Sequence, residues 1–535
     1  MKFAKKYICM FIILAITLNF GLSAAALDYK YNMSYIYFGS AANYAKQVSN
    51  TQDSVNEVSP DYFSLNSSGN LVITSDASIS FVQDMHQKGI LVTPYLTNDW
   101  DRAKGVAALN NIDKLSTDLA NAISAYNLDG VNIDIENVTP AERTKYVTLV
   151  QLLRSKLDSS KIITVAVAAN PYGYTSGWAG SYDYAGLAPY CDYLMLMTYD
   201  ESYDGGAPGP VASIGFVEKS LKYALGLVPK EKIVLGIPFY GRIWSSIGGS
   251  PNGYGISNTK VEAFIRDYNG TVVFDNTSKA ACATITVKAS DTKPVVAGKS
   301  LAVGTYKIWY SNEQSIKAVL GLVKKYDIKG TGSWSLGQES SQTWDYYKLW
   351  LNGCTFGDIQ NSWAKSSILT AYMNQWMDGI SSDTFSPNAP MTRAQAATIL
   401  VRMLGLTPEL SSAYSFDDCK GSWAEKYIDT ARKYNIISGI GGNLFAPDST
   451  VTREEVTVML NNILGYSSSN SVTAFSDVSR QSNSWSFDSI NALNEKGIIT
   501  GYSDGSFKPS NKVTRAEVTA LFARVDISRL KIGIN

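Results

Sequence analysis

The stretch LDGVNIDIEN, Leu128 to Asn137, alternates strictly between apolar and polar side chains. Val131, Ile133 and Ile135 suit a buried strand, while Asn132, Asp134 and Glu136 share its other face, because successive strand side chains point to opposite sides. Strand-like runs recur as MSYIYFG from Met33, GILVTPYL from Gly89, IITVAVAANP from Ile162, YLMLMTYD from Tyr193, KIVLGIPFYG from Lys232 and GTGSWSLG from Gly330. Helical patterns lie between several of them, including AALNNIDKLSTDLANAISAYN, AERTKYVTLVQLLRSKLD and SNEQSIKAVLGLVKKYD. This alternation predicts a parallel sheet with crossover helices. Seven or eight such units over residues 27–353 fit an α/β fold, the (β/α)8 TIM barrel. Residues from about 245 to 306 break the rhythm and predict a small α+β insertion before the last strand.

Beyond residue 353 the pattern changes to a threefold repeat. FGDIQNSWA, FDDCKGSWA and FSDVSRQSNSWS align, as do DTFSPNAPMTRAQ, NLFAPDSTVTREE and GSFKPSNKVTRAE. The spacing from Trp363 to Pro387 equals that from Trp423 to Pro447 and from Trp485 to Pro509. Such matched spacing defines repeats over 354–410, 411–470 and 471–535, each reading as helix, loop and second helix, so this region is expected to be dominated by helices. Thr392 with Gln395, Thr452 with Glu455 and Thr514 with Glu517 fit capping boxes. Each box places an arginine, Arg393, Arg453 or Arg515, in the first helical turn, where the helix dipole disfavours a cation. Either these residues simply start helices, or a bound anion reverses the sign.

The repeats resemble surface-layer homology (SLH) domains, which carry this Phe-x-Asp, Trp, Phe-x-Pro and Thr-Arg-Ala-Glu pattern. The resemblance implies anchoring to an acidic, often pyruvylated, secondary polymer of the bacterial cell wall. It assigns Arg393, Arg453 and Arg515 to the polymer's carboxylate and Trp363, Trp423 and Trp485 to the cleft walls. The first copy departs with Gln395 for the usual Glu and the second with Glu454 for Ala.

The N-terminus sets the compartment. Lys2, Lys5 and Lys6 precede an apolar run to Phe20 and small residues ending at Ala26, the layout of a secretory signal peptide over residues 1–26. The chain is expected to be secreted to the cell wall or surface layer without a transmembrane anchor. Lys plus Arg, 47, equals Asp plus Glu, 47, so nothing suggests nucleic acid. Of the 5 cysteines, Cys9 falls in the leader, and Cys191, Cys282, Cys354 and Cys419 are scattered without a CxxC. His86 is the single histidine, which speaks against a Ser-His-Asp triad or a multi-histidine metal site. No metal or organic cofactor is implied, and chemistry falls to carboxylates and tyrosines.

In a closed barrel, Asn132, Asp134 and Glu136 would face the lumen, where polar groups are costly unless paired. They form either a satisfied buried polar cluster or an acid pair. Two neighbouring carboxyls raise each other's proton affinity, which suits Glu136 to act as a general acid. Asp134 and Glu136 sit too close on one strand to flank a sugar, as ordinary retaining glycosidases do with carboxyls about 5–5.5 Å apart. They fit a substrate-assisted scheme. Glu136 protonates the glycosidic oxygen, the sugar's 2-acetamido oxygen attacks the anomeric carbon, and Asp134 orients that amide.

DGVNIDIE resembles the Asp-Gly-x-Asp-x-Asp-x-Glu signature of glycoside hydrolase family 18. LMLMTYD, GIPFYGRIW and GTGSWSLG are similar to further motifs of that family, in the expected order. The resemblance implies Glu136 as acid/base, with Asp134 and Tyr199 on the acetamido group. It places Asn132 beside them, has Met197, Asp200, Tyr240 and Arg242 shaping the site, and lays Trp334 under the bound sugar. Asp200 and Arg242 have a structural ion pair as their alternative reading, and Met197 and Trp334 have core packing as theirs. Asn132 replaces the family's middle Asp and is expected to donate a hydrogen bond to Asp134, with an altered pH profile. LVTPYLTND lacks the family's Ser-x-Gly-Gly. DESYDGGAPGPVASIGFVEKSLKYAL looks like the branch that includes spore-wall N-acetylglucosaminidases. The implied function is a secreted, surface-anchored glycosidase cleaving β-1,4 bonds of N-acetylglucosamine glycans, chitin or peptidoglycan. The alternatives are a peptidoglycan-specific N-acetylglucosaminidase for wall remodelling and a non-catalytic glycan-binding surface-layer protein.

Overall fold

The computed structural model describes residues 29–525, so the expected signal peptide and Cys9 lie outside the described residues. The chain divides into two units, residues 29–355 and 356 onward.

The first unit is the expected barrel. Its parallel strands are Tyr31–Ile36, then Glu57–Pro60 with Phe63–Leu65, then Leu91–Val92 with Tyr95–Thr97. Gly130–Asp134, Ile162–Ala168, Tyr193–Met197, Ile233–Pro238 and Gly330–Trp334 complete the eight. The eighth pairs with the first through Tyr31 and Gly330, closing the sheet. The second strand pairs with both segments of the third. This second strand is absent from the apolar runs of the sequence. Glu57, Ser59 and Pro60 interrupt its pattern, and proline cannot donate to a ladder. Pro94 splits the third strand in the same way.

Val131, Ile133 and Ile135 pack outward against the helix layer in the large apolar core. A separate cluster of Met33, Tyr35, Tyr95, Tyr193, Met195 and Val234 fills the lumen. Asn132 and Asp134 are buried on that inner side. Helices Ala41–Ser49, Ile79–Gln87, Arg143–Lys156 and Ile214–Leu225 are among those that return the chain between strands. The single helix expected around residues 107–127 is two, Arg102–Leu109 and Ile112–Ala125, broken at the Asn110-Asn111 pair. The insertion is a five-stranded antiparallel sheet, from Tyr240–Ser245 to Gly304–Tyr310, with helix Asn258–Asp267 packed on it.

In the second unit each repeat supplies two helices: Lys365–Met373 and Arg393–Met403, Glu425–Lys433 and Arg453–Leu464, Phe487–Glu495 and Arg515–Phe522. All three capping boxes form. The repeated Phe-x-Asp motif has a local reason. Asp358 accepts the backbone N–H of Phe385 and Ser386 at 2.9 and 2.6 Å. Asp418 and Asp477 hold Phe445 with Ala446 and Phe507 with Lys508 in the same way. Ser386, Ala446 and Lys508 all have φ near +58°, a conformation that non-glycine residues adopt at a cost. The aspartates offset that cost with charge-assisted hydrogen bonds.

The first-turn arginines tie the repeats into a ring. Arg393 Nε donates to the Phe445 carbonyl of the second repeat, Arg453 Nε to Phe507 of the third, and Arg515 Nε to Phe385 of the first. Each guanidinium also lies over the phenylalanine ring of that residue. The positive charge at a helix start is therefore offset by a neighbour's carbonyls and ring face, a compensation that one repeat read alone does not show.

Candidate active site

The fourth-strand ladder ends at Asp134, paired with Thr97 of the third strand. Ile135 and Glu136 run on beyond the ladder, and side chains hold them there. Ile135 N–H donates to the Tyr146 hydroxyl at 3.2 Å, and the Tyr182 hydroxyl donates to Ile135 C=O at 3.1 Å. Glu136 is gripped at both backbone groups by Asn98: its N–H donates to Oδ1 at 2.8 Å, and Nδ2 donates to its carbonyl at 2.9 Å. Asn98 is fully buried and comes from LVTPYLTND, the segment that departs from the family pattern. Sequence reasoning missed it. A polar residue at the C-terminal end of an apolar barrel strand was the available signal.

The carboxyl of Glu136 lines a cavity of about 770 Å³ together with Met197, Tyr199, Asp200 and Arg242. Asp134 lies below it, nearly buried, and its Oδ1 has no hydrogen-bond partner among the described residues. Burial pushes the Asp134 carboxyl up to about 7. Glu136 is held well above the usual carboxylate range, first by burial and then by the charges of Asp134 and Asp200. Both causes favour the protonated form of Glu136, the form a general acid needs.

Asn132 does not donate to Asp134 as expected. Its amide donates to Thr164 Oγ1 at 2.6 Å and accepts from the Tyr35 hydroxyl at 3.1 Å. It is fully buried in a layer where the adjacent fifth strand offers one hydroxyl and the first strand, across the lumen, offers another.

Tyr199 and Asp200 follow the sixth strand, where Tyr199 closes over Gly236 of the seventh. A Cβ at Gly236 would sit 2.8 Å from the Tyr199 ring, so only glycine leaves it room. Asp200 accepts from the Tyr240 hydroxyl at 2.8 Å and from Arg242 Nε and Nη2 at 2.9 and 2.8 Å. Arg242 Nη1 donates to the Gly253 carbonyl at 2.8 Å, tying the insertion to the rim. Asp200 and Arg242 are thus an ion pair that also walls the cavity. Tyr240 and Trp334 lie outside that wall. Trp334 packs on Tyr35, Tyr37 and Tyr95, with ring centroids 5.1, 5.5 and 6.0 Å away. The cavity gains aromatic surfaces that the motifs did not indicate. Trp100 meets Trp178 edge-on at 5.1 Å, and Tyr172 and Tyr174 stand exposed.

Family comparison settles the class. The description Glycosyl hydrolases family 18 matches residues 33–339, over half of the chain. The chain belongs to glycosyl hydrolase family 18. The family 18 domain is accompanied by three matches to the S-layer homology domain, at 355–397, 415–457 and 474–519. Among curated proteins, the uncharacterized glycosylase YvbX of Bacillus subtilis is 28% identical over 301 residues, 54% of this chain and 83% of that protein. The cortical fragment-lytic enzyme of Bacillus anthracis is 25% identical over 235 residues, 43% of this chain and 52% of that enzyme. The match thus spans only about half of that enzyme's length.

Among solved structures, a chitinase from Chromobacterium violaceum superposes with TM-score 0.53 at 24% identity, covering 60% of this chain and 99% of that one. The Bacillus cereus spore cortex-lytic enzyme SleL gives TM-score 0.52 at 20% identity, covering 60% and 74%. Both show the fold. The family 18 protein is a glycosidase, its substrate a glycan, and its S-layer homology repeats mark association with the cell surface. Among the described residues no helix is long and apolar enough to cross a membrane.

The wall-binding candidates are not brought together repeat by repeat. A second cavity, of about 220 Å³, combines Trp363 of the first repeat, Arg453 of the second, and Tyr502, Glu517 and Arg524 of the third. Trp363, Trp423 and Trp485 are all exposed. Arg393 and Arg515 are buried.

Proposed function

We propose that this protein hydrolyses N-acetylglucosamine-containing glycans by a substrate-assisted, retaining route, while its repeats hold it to an acidic wall polymer. One observation carries the chemistry: a buried Asp134 oxygen without a hydrogen-bond partner among the described residues, beside a Glu136 that burial and the neighbouring acids hold well above the usual carboxylate range. An unpaired buried acceptor costs roughly 1–3 kcal/mol, and a substrate N–H recovers it. In this scheme the 2-acetamido N–H donates to Asp134. The Tyr199 hydroxyl, which has no hydrogen-bond partner among the described residues, donates to the acetamido oxygen. Glu136 gives its proton to the bridging oxygen as the C1–O bond breaks and the acetamido oxygen bonds to C1. Glu136, now a carboxylate, then takes a proton from water. That water attacks C1, the C1–acetamido bond breaks, and the product keeps its anomeric configuration.

Chitin and the glycan strand of peptidoglycan both carry the required group. Chitinase-type cleavage is the first reading. Peptidoglycan is the second, favoured by the curated relatives named as cortical fragment-lytic enzymes. Secretion through the N-terminal leader would deliver the enzyme to either substrate. The test is reducing-end release from chitin oligosaccharides and from purified peptidoglycan, with the parent and Glu136→Gln. Release from one polymer that is lost in the variant supports the reading and chooses the substrate. Release that survives in Glu136→Gln, or none from either polymer with the parent, overturns it.

A further inference from the structure

The three repeats have the same ring geometry but not the same charge. Glu455 divides its carboxylate: Oε2 accepts from Thr452 N–H in its own capping box, and Oε1 accepts from Arg393 Nη1 at 2.5 Å. Arg393 is therefore closed into an ion pair. The residue equivalent to Glu455 opposite Arg453 is Glu517, and both of its side-chain hydrogen bonds go through Oε2 to Thr514. No carboxylate lies within ion-pair distance of Arg453 among the described residues. The equivalent opposite Arg515 is Gln395, which carries no charge and still caps its helix by accepting from Thr392 N–H at 3.1 Å.

The rims differ as well. Nine residues after each first-turn arginine stand Arg402, Asn462 and Arg524. Arg524 adds a second cation to the cavity that holds Arg453. Asn462 gives none on the Arg393 side, and Arg402 is paired with Asp378 at 3.1 Å. The Arg453 cavity also has two aromatic walls, Trp363 and Tyr502. The positions equivalent to Tyr502 are Ile380 and Ile440.

We infer that the wall anchor captures its anionic polymer chiefly at the cleft of Arg453, Arg524, Trp363 and Tyr502, and secondarily at Arg515, while Glu455 closes the Arg393 cleft. This rests on the wall-anchor reading above and assigns its working sites. A sugar ring bearing a carboxylate would stack on the exposed Trp363, with its charge toward the two guanidinium groups, Arg453 itself lying over the Tyr502 ring at 5.0 Å. Arg393 is a strut, its charge cancelled by Glu455.

The probe is washed cell-wall sacculi that retain their secondary polymer, with polymer-stripped sacculi as control, and the readout is the full-length protein's apparent affinity by sedimentation. Arg453→Gln is expected to weaken retention about tenfold or more, since losing one of two linked contacts removes avidity. Arg393→Gln is expected to weaken it less than about twofold. The decisive variant is Glu455→Gln, because Gln395 shows that glutamine keeps the cap. It frees Arg393 and is expected to strengthen retention several-fold. Melting temperatures within a few degrees of the parent verify folding of each variant.

If Glu455→Gln leaves retention unchanged, or Arg393→Gln weakens it as much as Arg453→Gln, the assignment of clefts is wrong while wall anchoring stands. If Arg453→Gln combined with Arg515→Gln binds like the parent, or stripped sacculi bind equally well, the wall-anchor reading itself fails.

Discussion

The barrel and the repeats treat buried charge in opposite ways. In the barrel, Asp134 is buried with an oxygen left unpaired, and its neighbour Glu136 is pushed toward the protonated form. In the repeats, Arg393, Arg453 and Arg515 are each tied to the next repeat's carbonyls. A buried carboxylate oxygen left unpaired by the protein is a cost that a substrate donor would remove, and it points to chemistry. A guanidinium satisfied by backbone marks architecture, and only the valence left over after the strut is made can serve a ligand. The two regions thus show that burial of a charged group says little until its partners are counted.

The contrast can be broken at its strongest point first. Glu136→Gln keeps the shape but removes the proton, so kcat is expected to fall at least about 10³-fold with little change in melting temperature. Asp134→Asn separates the two costs of that buried acid. Turnover should drop about 10²-fold because the acetamido group loses its orienting charge. Stability should move the other way. Asp134 is raised in the folded state, so its favourable contribution is complete below the unfolded value near 4 and is lost as pH rises through about 7. At pH 8 the Asn variant should be more stable than the parent by on the order of 2 kcal/mol in denaturant titration, and the difference should shrink toward pH 4.

Asn98→Ala leaves both acids in place but frees Glu136's backbone. We expect kcat to fall about tenfold with KM nearly unchanged, the signature of misplaced rather than missing chemistry. Asn132→Asp is the gentlest. A third acid near Asp134 raises that carboxyl further, so the acidic limb of the kcat profile, set by Asp134 ionisation near 7, should move to higher pH. An unchanged limb would show that Asp134 ionisation does not set it.

How much of this was legible in the sequence varied with the kind of signal. Strict alternation at Val131, Ile133 and Ile135 was enough to place the inward face of the fourth strand, and equal spacing was enough to define the repeats. The second strand escaped because Glu57 turns into the lumen. Its carboxylate is buried among the Tyr31, Tyr193 and Thr93 hydroxyls, so polarity hid a core position. Asn98 and the Trp100–Trp178 pair escaped because their roles depend on contacts between loops far apart in the chain. Asn132 was read correctly as inward-facing, but its partners come from the fifth strand beside it and the first strand across the lumen, which one strand's pattern does not contain. The arginine struts were hidden for the same reason, since each carbonyl acceptor lies in another repeat.

The proposed route makes the substrate's own amide the nucleophile. Comparing kcat/KM on a fully N-acetylated glucosamine oligomer and on its de-N-acetylated counterpart of equal length tests it most directly. A loss of at least about 10³-fold on removing the acetyl groups is expected, since both the nucleophile and the Asp134 contact go with them. Equal rates on the two oligomers would contradict it.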